Sequence, residues 1–103
     1  MSEPERNTPV DIFTPRWVDC APWEFEHGVL YIIERDRLAI HLCACGCGSK
    51  TVVPFRAWKI KISPVWDYKR EGDLVTFDPS ISNARFCPKK AHYFIEQNRV
   101  RWA

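Results

Sequence analysis

Apolar residues in this chain fall at every second position over short stretches, and no segment keeps a helical period for long enough to build a helix. Val29-Leu30-Tyr31-Ile32-Ile33 is short, apolar and rich in β-branched side chains, so it reads as a strand. Leu38, Ile40 and Leu42 alternate with Ala39 and His41, and Glu34-Arg35-Asp36-Arg37 is the turn joining the two. Lys50 to Phe55 is a further strand that starts as soon as a cysteine-rich loop ends, which sets that loop at a hairpin tip. Trp58, Ile60 and Ile62 alternate with Lys59 and Lys61 in a half-buried strand. After the turn Glu71-Gly72-Asp73, Leu74-Val75-Thr76-Phe77 reads as a strand closed by Asp78-Pro79-Ser80. His92 to Glu96 and Arg99 to Trp102 flank Gln97-Asn98 as a tight hairpin. The pattern predicts one all-β domain over residues 10–103, made mainly of antiparallel hairpins with little or no helix, behind a flexible tail at residues 1–9.

The chemistry concentrates in His41-Leu42-Cys43-Ala44-Cys45-Gly46-Cys47-Gly48 and in Cys87-Pro88-Lys89-Lys90-Ala91-His92. Thiolate and imidazole suit tetrahedral zinc, and a small domain gains much of its stability from closing such a site. Cys43, Cys45, Cys47, Cys87 and His92 therefore compete for about four places around a zinc ion. Thiols two apart on a strand point to opposite faces, so the three loop cysteines converge only if Gly46 bends the backbone. Cys43 with Cys47, or Cys45 with Cys47, are the favoured pairs. Simple buried thiols, a disulfide and an iron–sulfur cluster are the competing readings, and four thiolates with a histidine candidate fit zinc better. Cys20, far from the cluster in sequence, is expected to pack in the core, and His41 is placed to act behind a ligand.

Composition narrows the setting. The apolar fraction of 46% allows a thin core, which is a reason to expect a staple. Five cysteines is an odd number, and the opening Met1-Ser2-Glu3-Pro4-Glu5-Arg6 has no signal-peptide character, so a reducing cytoplasm is expected. A formal net charge of +2 gives no global pull towards nucleic acid or an anionic membrane, and no apolar run approaches the ~20 residues that span a bilayer. Nucleic acid would have to be read by the aromatic and basic residues Trp58, Lys59, Lys61, Trp66, Tyr68, Lys69 and Arg70. Alternation assigns Trp58 to the core, however, which disfavours that partner. Lys89, Lys90, Arg99 and Arg101 form a second basic group beside the metal loop.

Multiple thiolates favour a structural ion. If the site were open, Glu96 would be the conceivable base, though it stands roughly 13 Å from His92 along an extended strand. The His-x-Glu and Pro-Cys-x-x-Cys pattern of zinc deaminases is absent.

Cys43-Ala44-Cys45-Gly46-Cys47-Gly48, Pro79-Ser80-Ile81, Cys87 followed by His92-Tyr93-Phe94-Ile95, and Trp102 together resemble a family of small bacterial Cys/His-rich domains of unknown function, over roughly residues 28 to 102. Its members are encoded beside bacterial ubiquitin-like conjugation systems. The resemblance implies an accessory role in such a system, in phage defence, with a ubiquitin-like protein or its activating and conjugating enzymes as partners. Two functions follow from it. In the first, zinc fixes a surface that binds the partner. In the second, the domain is a peptidase that trims or removes the modifier, by an open zinc or by Ser80 with His92. Asp73 and Asp78 are available to orient a histidine, while the plainer role for Ser80 is to satisfy turn amides.

Overall fold

The computed structural model describes residues 8–55, 65–83 and 87–103; the expected strand at Trp58 to Ile62 lies outside them. Among the described residues eight strands form two four-stranded sheets. The first sheet holds β1 (Thr14–Trp17), β2 (Val29–Ile33), β3 (Leu38–Leu42) and β4 (Lys50–Pro54) in that order. The second holds β5 (Asp67–Glu71), β6 (Leu74–Ser82), β7 (His92–Glu96) and β8 (Arg99–Trp102), again in chain order. All pairings are antiparallel except β1 with β2, which run parallel. A 3₁₀ turn at Glu34–Asp36, closed by Arg37 in the left-handed region (φ 59°), joins β2 to β3. The expected all-β architecture is the one observed.

Alternation explains which faces meet. Leu30, Ile32, Ala39 and Val53 from the first sheet share one core with Val75, Phe77, Ile81, Tyr93 and Ile95 from the second. Phe55 bridges the layers, stacked on Tyr68 with ring centroids 4.4 Å apart and tilted towards Phe77 at 6.1 Å. β2 is buried along its whole length because Tyr31 on its outer face is covered by Phe25, edge to ring at 5.4 Å. At the β7–β8 turn, Gln97 and Asn98 both take positive φ (50° and 71°), the geometry that matches the twist of a two-residue hairpin. The Asn98 side chain is buried there, accepting from the Val75 amide at 2.8 Å and donating to the Asp73 carbonyl at 2.9 Å.

Two local expectations change. Cys20 is exposed, so it takes no part in the core. β6 does not close at Asp78-Pro79-Ser80; it runs on to Ser82 through an irregularity. Phe77 pairs with Ile95 and Ile81 with Tyr93, so Asp78, Pro79 and Ser80 all stand opposite Phe94 alone. A proline, which has no amide to donate, is tolerated where the ladder is already broken.

Between the sheets, His41 is fully buried, with Nε2 2.7 Å from the Tyr93 hydroxyl and its ring edge-on to Phe13 at 4.9 Å. Burial holds its pKa down at about 3, far below the ~6.5 of an unfolded histidine. Such a depressed value means that the unfolded chain binds the proton first. The stability contributed is therefore complete above pH ~6.5 and is lost as pH falls towards 3. In a proton NMR titration the His41 ring resonances should stay fixed from about pH 8 to about pH 5. Movement of those resonances with a midpoint near pH ~6.5 would contradict the burial argument.

Candidate active site and metal centre

The β3–β4 hairpin tip and the segment before β7 supply the thiols. Cys43 closes the tip, its amide donating to the Ser49 carbonyl at 2.8 Å, and Gly46 turns the chain with φ 93° while its amide reaches back to the Cys43 carbonyl at 3.1 Å. That left-handed turn is the bend the sequence required. It brings the Sγ atoms of Cys43, Cys45, Cys47 and Cys87 within 4.8 Å of one another. Cys45 lies 3.5 Å from Cys43 and 3.2 Å from Cys87, sulfur to sulfur. All five cysteines of the chain are unbridged, and of the cluster only Cys47 is exposed.

The cluster fits a tetrahedral ion. Thiolates bound at about 2.3 Å stand about 3.8 Å apart in a regular tetrahedron, and the sulfurs here already bracket that separation. The site is not limited to the loop pairs expected to dominate, because Cys45 makes the bridge to Cys87. Burial pushes the Cys43 and Cys45 thiols up, so bare thiolates are disfavoured there without a cation. At Cys87 burial also opposes ionisation, but hydrogen bonds from the Ala91 amide, the Cys45 thiol and the Lys89 amide outweigh it and bring the value down to about 6. These amides belong to the segment Cys87 to Ala91, where the Lys90 amide donates to the Cys87 carbonyl at 2.9 Å and Lys90 itself has φ 53°. His41 does not stand behind a thiol through its own ring; it bonds Tyr93, whose hydroxyl also lies 3.4 Å from the Ala44 amide and from Asn83 Nδ2.

His92 takes another place. Its Nε2 lies 2.6 Å from Ser80 Oγ, and the cluster of four thiols does not include it. The reason is register. Ser82 pairs directly with His92 across β6 and β7, and Ser80, two residues earlier, shares the outward side while Ile81 between them is buried. The irregularity opposite Phe94 shortens the reach from the hydroxyl to the imidazole. Ser80 is half-buried and His92 exposed, so the pair opens to solvent. The Ser80 hydroxyl lies against the His92 imidazole rather than against a turn amide.

Among the described residues His92 has no carboxylate partner, so neither Asp73 nor Asp78 stands behind the imidazole. Glu96 is held in a bidentate pair by Arg101, at 2.9 and 2.8 Å, and that hydrogen bond keeps its carboxyl below the usual range, which leaves it engaged elsewhere. One participant was not legible as such. Trp66 Nε1 donates to the Ser80 carbonyl at 3.1 Å and so fixes the backbone that carries the hydroxyl. In sequence Trp66 belonged to the aromatic and basic group considered for nucleic acid. Of the other described members of that group, Tyr68 donates to Glu34 at 2.6 Å and Arg70 lies over the Trp17 ring at 3.8 Å, while Trp58, Lys59 and Lys61 lie outside the described residues.

Among the described residues no helix is long and apolar enough to cross a membrane. A family described as "Bacterial ubiquitination-like system serine protease (BubE)" has a model that matches residues 17–103. No curated protein and no solved structure matches the chain.

Proposed function

The chain belongs to the family of bacterial ubiquitination-like system serine proteases, and on that premise we propose that it is itself a serine peptidase, with Ser80 as nucleophile and His92 as general base, acting on a ubiquitin-like modifier. The observation that carries the reading is the 2.6 Å approach of Ser80 Oγ to His92 Nε2. In this reading neutral His92 carries its own proton on Nδ1 and takes the serine proton at Nε2. Ser80 Oγ attacks the scissile carbonyl, and the imidazolium then passes that proton to the departing amine. Water hydrolyses the resulting ester by the same route in reverse and frees the serine. The partner is the ubiquitin-like protein, met in a reducing cytoplasm that leaves five thiols unbridged.

Zinc is the proposed ion of the Cys43, Cys45, Cys47 and Cys87 cluster, because four thiolates suit it in charge and geometry. When bound it would supply cross-linking of the hairpin tip to the turn before β7. Four thiolates fill a tetrahedron and leave no position for a reacting water, which supports a structural role over a metal-dependent hydrolase. His92 is five residues beyond Cys87, so the cluster fixes the segment that presents the base. The binding-only reading accounts for the thiols but gives the serine–histidine pair no task.

A fluorophosphonate probe tests the nucleophile. We expect covalent labelling at Ser80, located by peptide mass spectrometry; labelling that persists in Ser80→Ala, or none at all, would refute the assignment. The Trp66 hydrogen bond gives a second outcome. Trp66→Phe keeps an aromatic ring but loses the donor, and a lost bond of about 1 kcal/mol should lower kcat by several-fold with KM little changed. A kcat equal to that of the unaltered protein would show that the indole does not position the serine.

A further inference from the structure

We propose that the cleft beside His92 receives the leaving segment of the substrate, and that Lys89 and Lys90 select a short carboxy-terminal tail by its free carboxylate. This rests on the serine peptidase reading above and adds the kind of bond that is cut. The cleft holds about 350 Å³ and is walled by Pro9, Lys89, Lys90, His92 and Trp102, with Cys45 in its lining. His92 belongs to it and Ser80 does not, so it opens on the imidazole side of the pair. That is the side to which the leaving amine must go, because the imidazole that accepted the serine proton returns it there.

Among its side chains the cleft is one-sided: two lysines and no acidic side chain line it, together with Ala103 and its α-carboxylate, and among the described residues neither lysine has an ion-pair partner. Arg101 differs in this respect, since it is committed to Glu96 and lies over Phe94 at 4.1 Å. Trp102, 43% exposed and edge-on to Tyr93 at 5.4 Å, offers a fixed apolar wall for a tail side chain. The lysines are also held in place at the backbone, through the turn whose amides face Cys87. A departing lysine side chain from an isopeptide bond brings no negative charge to this cleft, whereas a peptide that ends one or two residues after the cut brings its α-carboxylate within reach of both ammonium groups.

The test uses the full chain and the ubiquitin-like protein of the same system, prepared semisynthetically with a short tail ending in a carboxylate or in a carboxamide. The expected result is a kcat/KM roughly tenfold higher for the carboxylate, with that preference removed in Lys89→Ala/Lys90→Ala and the carboxamide rate unchanged. Equal rates on the two tails in the unaltered protein, or a double variant that slows both alike, would overturn the proposal while leaving the peptidase reading intact. Cleavage that persists in Ser80→Ala, or its absence from every protein and substrate, would overturn the peptidase reading and this inference with it. The Ser80→Ala arm and the rates of the unaltered protein thus distinguish the two failures.

Discussion

Ser80→Ala is expected to lower cleavage of a ubiquitin-like precursor by at least about 10³-fold while the protein stays folded. The size follows from the chemistry: without Oγ there is no acyl ester, and what remains is the slower attack of water on a bound peptide. Stability should hardly move, because Ser80 is half-buried on the outward side of β6 and its neighbours Phe77 and Ile81 keep the core contacts. His92→Ala should fall to a similar rate, and the double variant should be little worse than either single one, since the two residues act as a unit. Losses that multiplied in the double variant would mean that the 2.6 Å contact is not a catalytic pair. Cleavage rates read together with thermal melting curves would decide the matter.

Removal of the metal proposed for the thiol cluster should unfold most of the chain. Structural zinc sites have apparent binding free energies of about 10 kcal/mol, against a total stability of about 5–15 kcal/mol for ordinary domains. This chain has a thin core, and three of the four thiols are buried between the hairpin tip and the turn at Cys87. A chelator strong enough to strip the ion should therefore collapse the thermal transition, and Cys87→Ser should do the same without chelator. Cys20→Ser, at an exposed position outside the cluster, is the control and should change neither metal content nor melting. Activity should decline in step with the folded fraction, because the proposed role of the ion is to hold the segment that presents His92. Full loss of activity in a chain that remains folded would point to a reacting metal, and an unchanged melting curve after stoichiometric removal would end the structural role.

The cysteine cluster also shows how far local patterns reach. Four of its atoms are named by residue type alone, since thiols this close in a glycine-bearing loop have few other uses. Which of them meet depended on Gly46. Its φ of 93° lets Cys43, Cys45 and Cys47 turn to one side, against the alternation that a regular strand would impose. Cys20 is exposed, against the usual burial of cysteine, because no apolar periodicity surrounds it. Trp66 stands out by composition only, next to Lys69 and Arg70, and nothing in its own segment signals an acceptor carbonyl on another strand for its indole N–H.

By itself the sequence determined β2, β3, β4, most of β6, β7 and β8 from period-two alternation, though not β1 or β5, and it supplied the chemical inventory: the hairpin at Gln97-Asn98 from its turn residues, a thiol-rich site, and one serine and one histidine worth attention. Tertiary structure alone decided that this serine and this histidine are partners. Their meeting depends on the register between β6 and β7 and on the irregularity that sets Asp78, Pro79 and Ser80 opposite Phe94. Register is a property of two strands packed against a shared core, where Ile81, Tyr93 and Ile95 must all be buried at once. No stretch of chain carries that condition on its own.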